Sequence, residues 1–139
     1  MLAARLRPAN VGAAAGVVKE VTRIVAHIRQ RWPNTRILLR ADSGFSHDAL
    51  MVWCQANDVH FVLGLQQNPR LVAEIANELA NAEVKSRRTG KPARYFKEFK
   101  WNTRRTWSCE RRVIAKAEFV VAKSAPTIRL SVCSGAGRL

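Results

Sequence analysis

The sequence predicts an α/β fold: a parallel βαβ layer followed by a basic, antiparallel β-rich stretch. Three observations carry this. Through about residue 84, apolar segments with helical spacing alternate with short continuous apolar runs. From Arg94 to Phe119 the pattern switches to alternating aromatic and charged residues. With 139 residues, 47% of them hydrophobic, the chain is long enough to bury one core and too apolar to be disordered.

The opening segment, residues 1–7, reads as the end of a strand broken by Pro8-Ala9-Asn10-Val11-Gly12. A helix is expected over 14–32, because Val17, Val21, Ile24, Val25, Ile28 and Trp32 recur on one face; Pro33-Asn34 ends it. Ile37-Leu38-Leu39 forms a continuous apolar run, as in a strand covered on both faces. That strand ends on Asp42, followed by Ser43-Gly44 and a helix begun by Ser46-His47-Asp48, with Ser46 or Asp48 satisfying free N–H groups. Leu50, Met51, Trp53 and Cys54 give this helix its buried side.

After a turn at Asn57-Asp58, residues 59–65 read as a second buried strand. Asn68-Pro69 is an N-cap followed by proline in the first turn, and Leu71, Val72, Ile75 and Leu79 form the apolar stripe of the helix it starts. Lys85 to Pro92 reads as a basic linker rich in breakers. Beyond it, two or three twisted antiparallel strands are expected, with Asn102-Thr103-Arg104-Arg105 as a turn. Ile128 to Val132 has the makings of one more strand, but the chain from 120 to 139 is poor in pattern and expected to be disordered. The implied organisation is a core over 1–84, a basic β-rich insertion over 85–119 and a tail over 120–139.

Charge narrows the partners. Twenty-four Lys plus Arg against ten Asp plus Glu leave +14, more than solubility requires, which points to a polyanion. Thirteen of the cations and three glutamates fall between residues 85 and 123. Within that stretch Arg87, Arg88, Lys91, Arg94, Lys97, Lys100, Arg104, Arg105, Arg111 and Arg112, together with Trp101, are candidates for DNA contact: the cations neutralise phosphates and the aromatic stacks. The competing reading is a small aromatic core beneath a solvated basic face.

Three cysteines (54, 109 and 133) are widely spaced with no CxxC pair, which speaks against a zinc knuckle or a disulfide framework and fits reduced thiols in a cytoplasmic protein. No apolar run reaches the roughly 20 residues of a membrane span.

Asp42 is the candidate for chemistry. In open α/β sheets ligands gather at the carboxyl ends of strands, and an acid there is a candidate metal ligand; it equally suits a loop or helix cap. Two-metal phosphoryl transfer needs several carboxylates, and no second or third is legible from spacing.

Several blocks in order resemble the DDE transposases of bacterial insertion sequences, most closely the insertion sequence thirteen-eighty family. They are Leu6-Arg7-Pro8-Ala9-Asn10, Ile24 to Arg29, Ile37 to Phe45, Trp53 to Asn57, Phe61 to Leu65 and Arg87 to Arg94, within about residues 1–118. The resemblance implies a partial ribonuclease-H-like core whose three carboxylates bind two Mg²⁺ ions and direct cleavage and strand transfer of transposon DNA. Asp42 matches the second member of that triad, as catalytic residue and metal ligand. The block that carries the first acid and the one that carries the final glutamate are not matched here. The resemblance therefore implies a central portion of a transposase, without cleavage activity alone, that binds transposon ends and target DNA in the bacterial cytoplasm at the nucleoid. It also implies assembly as a homo-oligomer or with full-length transposase. The alternative is a non-catalytic basic module that binds nucleic acid.

Overall fold

The computed structural model describes residues 12, 14–121 and 125–135. The expected opening strand over 1–7 lies outside them. The elements run α1 (Val17–Arg31), β1 (Leu38–Ala41), a 3-10 turn (Ser43–Phe45), α2 (Asp48–Ala56), β2 (His60–Gly64), α3 (Pro69–Glu74), α4 (Ala76–Thr89), β3 (Ala93–Trp101), β4 (Arg111–Val120) and β5 (Ala125–Cys133). The five strands form one mixed sheet in the order β1-β2-β5-β4-β3. β1 and β2 pair in parallel through the α2 crossover; the other three pairings are antiparallel.

This arrangement supports the α/β class and the βαβ unit. It is compatible with a partial ribonuclease-H-like fold. The basic hairpin β3-β4 is joined through β5 to the parallel strands, so it extends their sheet rather than forming a separate layer.

Burial alternates along the strands. On β4, Arg111, Val113, Ala115, Ala117 and Phe119 are buried while the residues between them are half-exposed. The buried positions share one sheet face with Phe61, Leu63, Leu130 and Val132. Helices cover that face with Val25, Leu50, Met51, Cys54, Leu71 and Ile75, giving a single continuous core.

Several expectations change for this reason. β1 is an edge strand covered on one side only: Leu39 and Ala41 meet the core while Leu38 is 45% exposed. Its apolar run therefore does not mark a strand covered on both faces. Trp32, expected on the buried stripe of α1, lies past the helix end and is 59% exposed. Val25 is the buried residue of α1, and Val17, Val18 and Val21 pack at the core's margin.

Asn68 caps α3 as its sequence suggests, its side chain accepting a hydrogen bond from Leu71 N at 3.0 Å. The α2 start differs. Ser46 Oγ donates back to Ser43 O at 2.9 Å and Asp48 binds an arginine, so neither serves as cap. The supposed linker is helical through Thr89, because the true breakers Gly90 and Pro92 come only after it. Ala82 and the buried Ser86 face the sheet, and Ser86 Oγ donates to Lys91 O at 2.8 Å, fastening the helix end. Gly90 takes the left-handed conformation (φ 67°) that closes α4.

The expectation of a disordered tail is overturned for residues 125–133. β5 fills the middle of the sheet, paired on one side with β2 and on the other with nine residues of β4. Its weak pattern reflects a short sequence in which Leu130, Val132 and Cys133 alone are buried.

Candidate functional site

Because β1 and β2 are parallel and in register from Leu38↔His60 to Ala41↔Leu63, their carboxyl ends emerge at the same edge of the sheet. Asp42 follows the last residue of β1, and Gly64 closes β2. Asp42 has an extended backbone (φ −76°, ψ −175°), and its carboxylate accepts a hydrogen bond from Gly44 N at 2.9 Å. One oxygen thus caps the 3-10 turn; the other has no partner among the described residues. The residue is exposed. The structure therefore realises the capping role and leaves half of the carboxylate available.

Beside Asp42 lies a cavity of about 370 Å³. Ser43, Ser46, His47 and Asp48 form one wall, Leu65, Gln66, Asn68 and Leu71 another, and Trp101, Thr103, Thr106 and Trp107 a third. The third wall comes from the connection between β3 and β4, which is longer than the four-residue turn expected. Thr103 and Thr106 share a hydroxyl–hydroxyl bond at 2.6 Å within it, and Trp107 is buried. Trp101 carries the Arg70 guanidinium 4.6 Å above its ring. The long hairpin thus brings aromatic and hydroxyl groups to the strand ends that hold Asp42.

The floor of this region is fixed by a buried arginine. Arg111, 3% exposed, donates from Nη2 to Asp48 Oδ1 and from Nη1 to Gln55 Oε1, each at 2.7 Å. Burial by itself would push Asp48 up; hydrogen bonds from Arg111 and Ser108 outweigh it and hold the carboxyl below its ordinary value. The pair ties β4 to the first turn of α2. The sequence reading missed this strut, although a signal was present: residue 111 shares the parity of Val113, Ala115, Ala117 and Phe119, which marks it as inward-facing. Its charge concealed the fact.

The other cations proposed for DNA contact are spread over the hairpin and α4. Arg104 and Arg105 are exposed in the turn beside the cavity. Arg87, Arg88 and Lys91 are exposed at the opposite end of β3, whose nine residues span about 30 Å. Arg87 pairs with Glu83 at 2.8 Å and lies 5.3 Å over the Phe119 ring. Arg94 pairs with Glu118 at 2.5 Å, and Lys97 with Glu74 at 3.0 Å. Arg112 grips Glu98 with two hydrogen bonds of 2.8 and 2.7 Å. Lys100 is exposed and has no acidic partner among the described residues. Arg111 is committed within the fold. The candidates therefore form two ends and a strip rather than one patch.

A two-ion centre needs several carboxylates converging on one point. Among the described residues no three His, Cys, Asp or Glu side chains converge in a way that would hold a metal ion. The nearby Asp48 is paired with Arg111, whereas Asp42 has no cationic partner among the described residues. These residues do not by themselves fit such a centre. No helix among them is long and apolar enough to cross a membrane.

Comparison with protein families gives one assignment: the model described as transposase DDE domain group 1 matches residues 1–132. The match runs through most of β5, beyond the point near residue 118 where the sequence resemblance fades. No curated protein and no solved structure matches the chain.

Proposed function

The chain belongs to the transposase DDE domain group 1 family, and from that premise we propose that it serves DNA strand cleavage and transfer at insertion-sequence ends. In this reading Asp42 is one of the acids that hold divalent metal in the complete catalytic centre, Mg²⁺ being the expected ion. The observation that carries it is placement: a half-free carboxylate at the carboxyl end of a parallel strand, beside a cavity walled by the basic hairpin. The described residues supply that acid and a DNA-facing surface, and the remaining carboxylates must come from elsewhere. Alone, the chain binds DNA and does not cut it.

The DNA-facing role falls to the exposed cations. Arg104 and Arg105 flank the cavity, and Arg87, Arg88 and Lys91 lie at the far end of the hairpin. Two basic clusters at the ends of one strand suit contact with successive turns of a duplex. Kinship with the insertion sequence thirteen-eighty family, action at the nucleoid, and association with a second copy or a full-length transposase belong to the same proposal.

The capping bond of Asp42 to Gly44 also favours a second reading, a binding module in which the acid only shapes the turn. Duplex binding across a salt series, with and without Mg²⁺, separates the two. A metal-dependent gain in affinity lost in Asp42→Asn supports the catalytic reading; binding indifferent to metal and to Asp42 supports the module.

A further inference from the structure

The sheet has a second face, and among the described residues no helix covers it. Its residues are exposed or half-exposed, apart from the buried Cys133, and are aligned by register into rows. Phe96, Lys116 and Arg129 form one row across β3, β4 and β5. Lys100, Arg112, Cys133, Val62 and Arg40 form another across all five strands. Phe96 is 66% exposed, the equal highest exposure of any large hydrophobic side chain among the described residues. Leu38 on β1 is 45% exposed on the same face.

This face carries six cations (Arg40, Arg94, Lys100, Arg112, Lys116 and Arg129) against two carboxylates, Glu98 and Glu118. Arg112 holds Glu98, while Arg94 and Lys116 hold Glu118. Arg40, Lys100 and Arg129 face solvent with no acidic partner among the described residues. A shallow cavity of about 360 Å³ runs between Phe96, Ile114 and Val62, with Arg112, Lys116 and Arg129 at its border.

We propose that this open sheet face binds single-stranded nucleic acid, with Phe96 as a stacking platform for a base and Arg129, Lys100 and Arg40 as phosphate contacts. Excess positive charge fits a polyanion and disfavours a neutral or basic protein surface. The aromatic decides between duplex and single strand. In a duplex the bases are already stacked and paired, and phosphate contacts would leave Phe96 in water; an unpaired base offers a π-face to it. Residues two apart on one strand lie about 6.8 Å apart, a spacing an extended single strand matches. This surface lies across the sheet from the core-side helices and does not depend on the cleavage reading: duplex binding through Arg104 and Arg105 can fail while this proposal stands.

The test is fluorescence anisotropy of the full chain with a labelled oligo(dT) 12-mer and with a duplex of the same length, at one fixed low salt concentration. Phe96→Ala should weaken oligo(dT) binding at least about fivefold and leave duplex binding within twofold, with Phe96→Tyr restoring the loss. Lys100→Glu with Arg129→Glu provides a second route and should weaken oligo(dT) at least about tenfold. Equal oligo(dT) affinity for wild type and Phe96→Ala overturns the proposal. So does parallel loss of duplex and single-strand binding, which marks Phe96 as general packing. A concentration-dependent dimer dissolved by Phe96→Ala, with oligo(dT) binding intact, assigns the face to a second copy of the chain instead.

Discussion

Gly64 lies directly against the backbone of Asp42. A Cβ at residue 64 would come within 2.9 Å of Ser43 N and 3.2 Å of the Asp42 carbonyl carbon. The end of β2 thus supports the turn that carries the candidate catalytic acid, and it does so only without a side chain. The obstructing atoms are backbone and cannot swing aside, so the requirement is steric rather than conformational.

Gly64→Ala should therefore push the Asp42 turn outward and destabilise the fold by about 1–3 kcal/mol, the usual range for overpacking. Urea unfolding measures this through a lowered midpoint at unchanged slope. An alanine variant as stable as the parent would show that β2 and the turn have slack between them.

The Arg111–Asp48 pair should be costly to break from one side. Asp48→Ala strands a guanidinium that is 3% exposed, and a loss of about 3 kcal/mol is expected. Replacing both, Asp48→Ala with Arg111→Met, should recover a good part of that loss because no buried charge remains. A double-mutant cycle reports the coupling; strictly additive losses would contradict the strut.

Acid should loosen the sheet. Hydrogen bonds from Lys116 and Arg94 hold Glu118 down to about 2, and Glu98 and Asp48 are also lowered by their arginine partners. For Asp48 burial is the largest influence and acts the other way, but its hydrogen bonds prevail. A carboxyl whose folded value is depressed adds stability above its unfolded value, near 4, and that stability is lost as pH falls through the folded value. Urea midpoints should thus fall between about pH 5 and pH 2, and Glu118→Gln should flatten the lower part of that fall. A midpoint indifferent to pH across this window would contradict the pairing.

The thiols should react unequally. Cys54 is fully buried and burial pushes it up to about 11; Cys133 is 8% exposed and also raised, chiefly by burial. Cys109 is exposed. A disulfide reagent at neutral pH should find one fast thiol, absent in Cys109→Ser, and reach the other two only on unfolding.

Much of this fold is legible in the sequence wherever one residue type reports one environment. Asn68-Pro69 announces the start of α3, and the Ile37–Leu39 and Phe61–Leu65 runs mark the parallel strands. What stays hidden depends on partners distant in sequence. Leu38 and Leu39 look alike in the chain, and only the one-sided cover of the sheet separates the exposed residue from the buried one. Arg111 reads as one more cation of a basic hairpin until its partner Asp48, 63 residues away, is placed beside it. β5 alternates only over Thr127–Val132, where Ile128, Leu130 and Val132 take the core face and Thr127, Arg129 and Ser131 the open one, a stretch too short to stand out before β2 and β4 are placed beside it. Gly64 carries no signal of its own before the Asp42 turn is set against it.

The most direct test of the account is a nicking assay on supercoiled DNA with Mg²⁺, run beside duplex binding over a salt series, for the parent chain and Asp42→Asn. Binding should weaken steeply with salt, the salt dependence should become shallower when Arg104 and Arg105 are replaced by alanine, and neither protein should nick. Metal-dependent nicking by the parent that disappears in Asp42→Asn would contradict this, because the chain would then assemble its own catalytic centre.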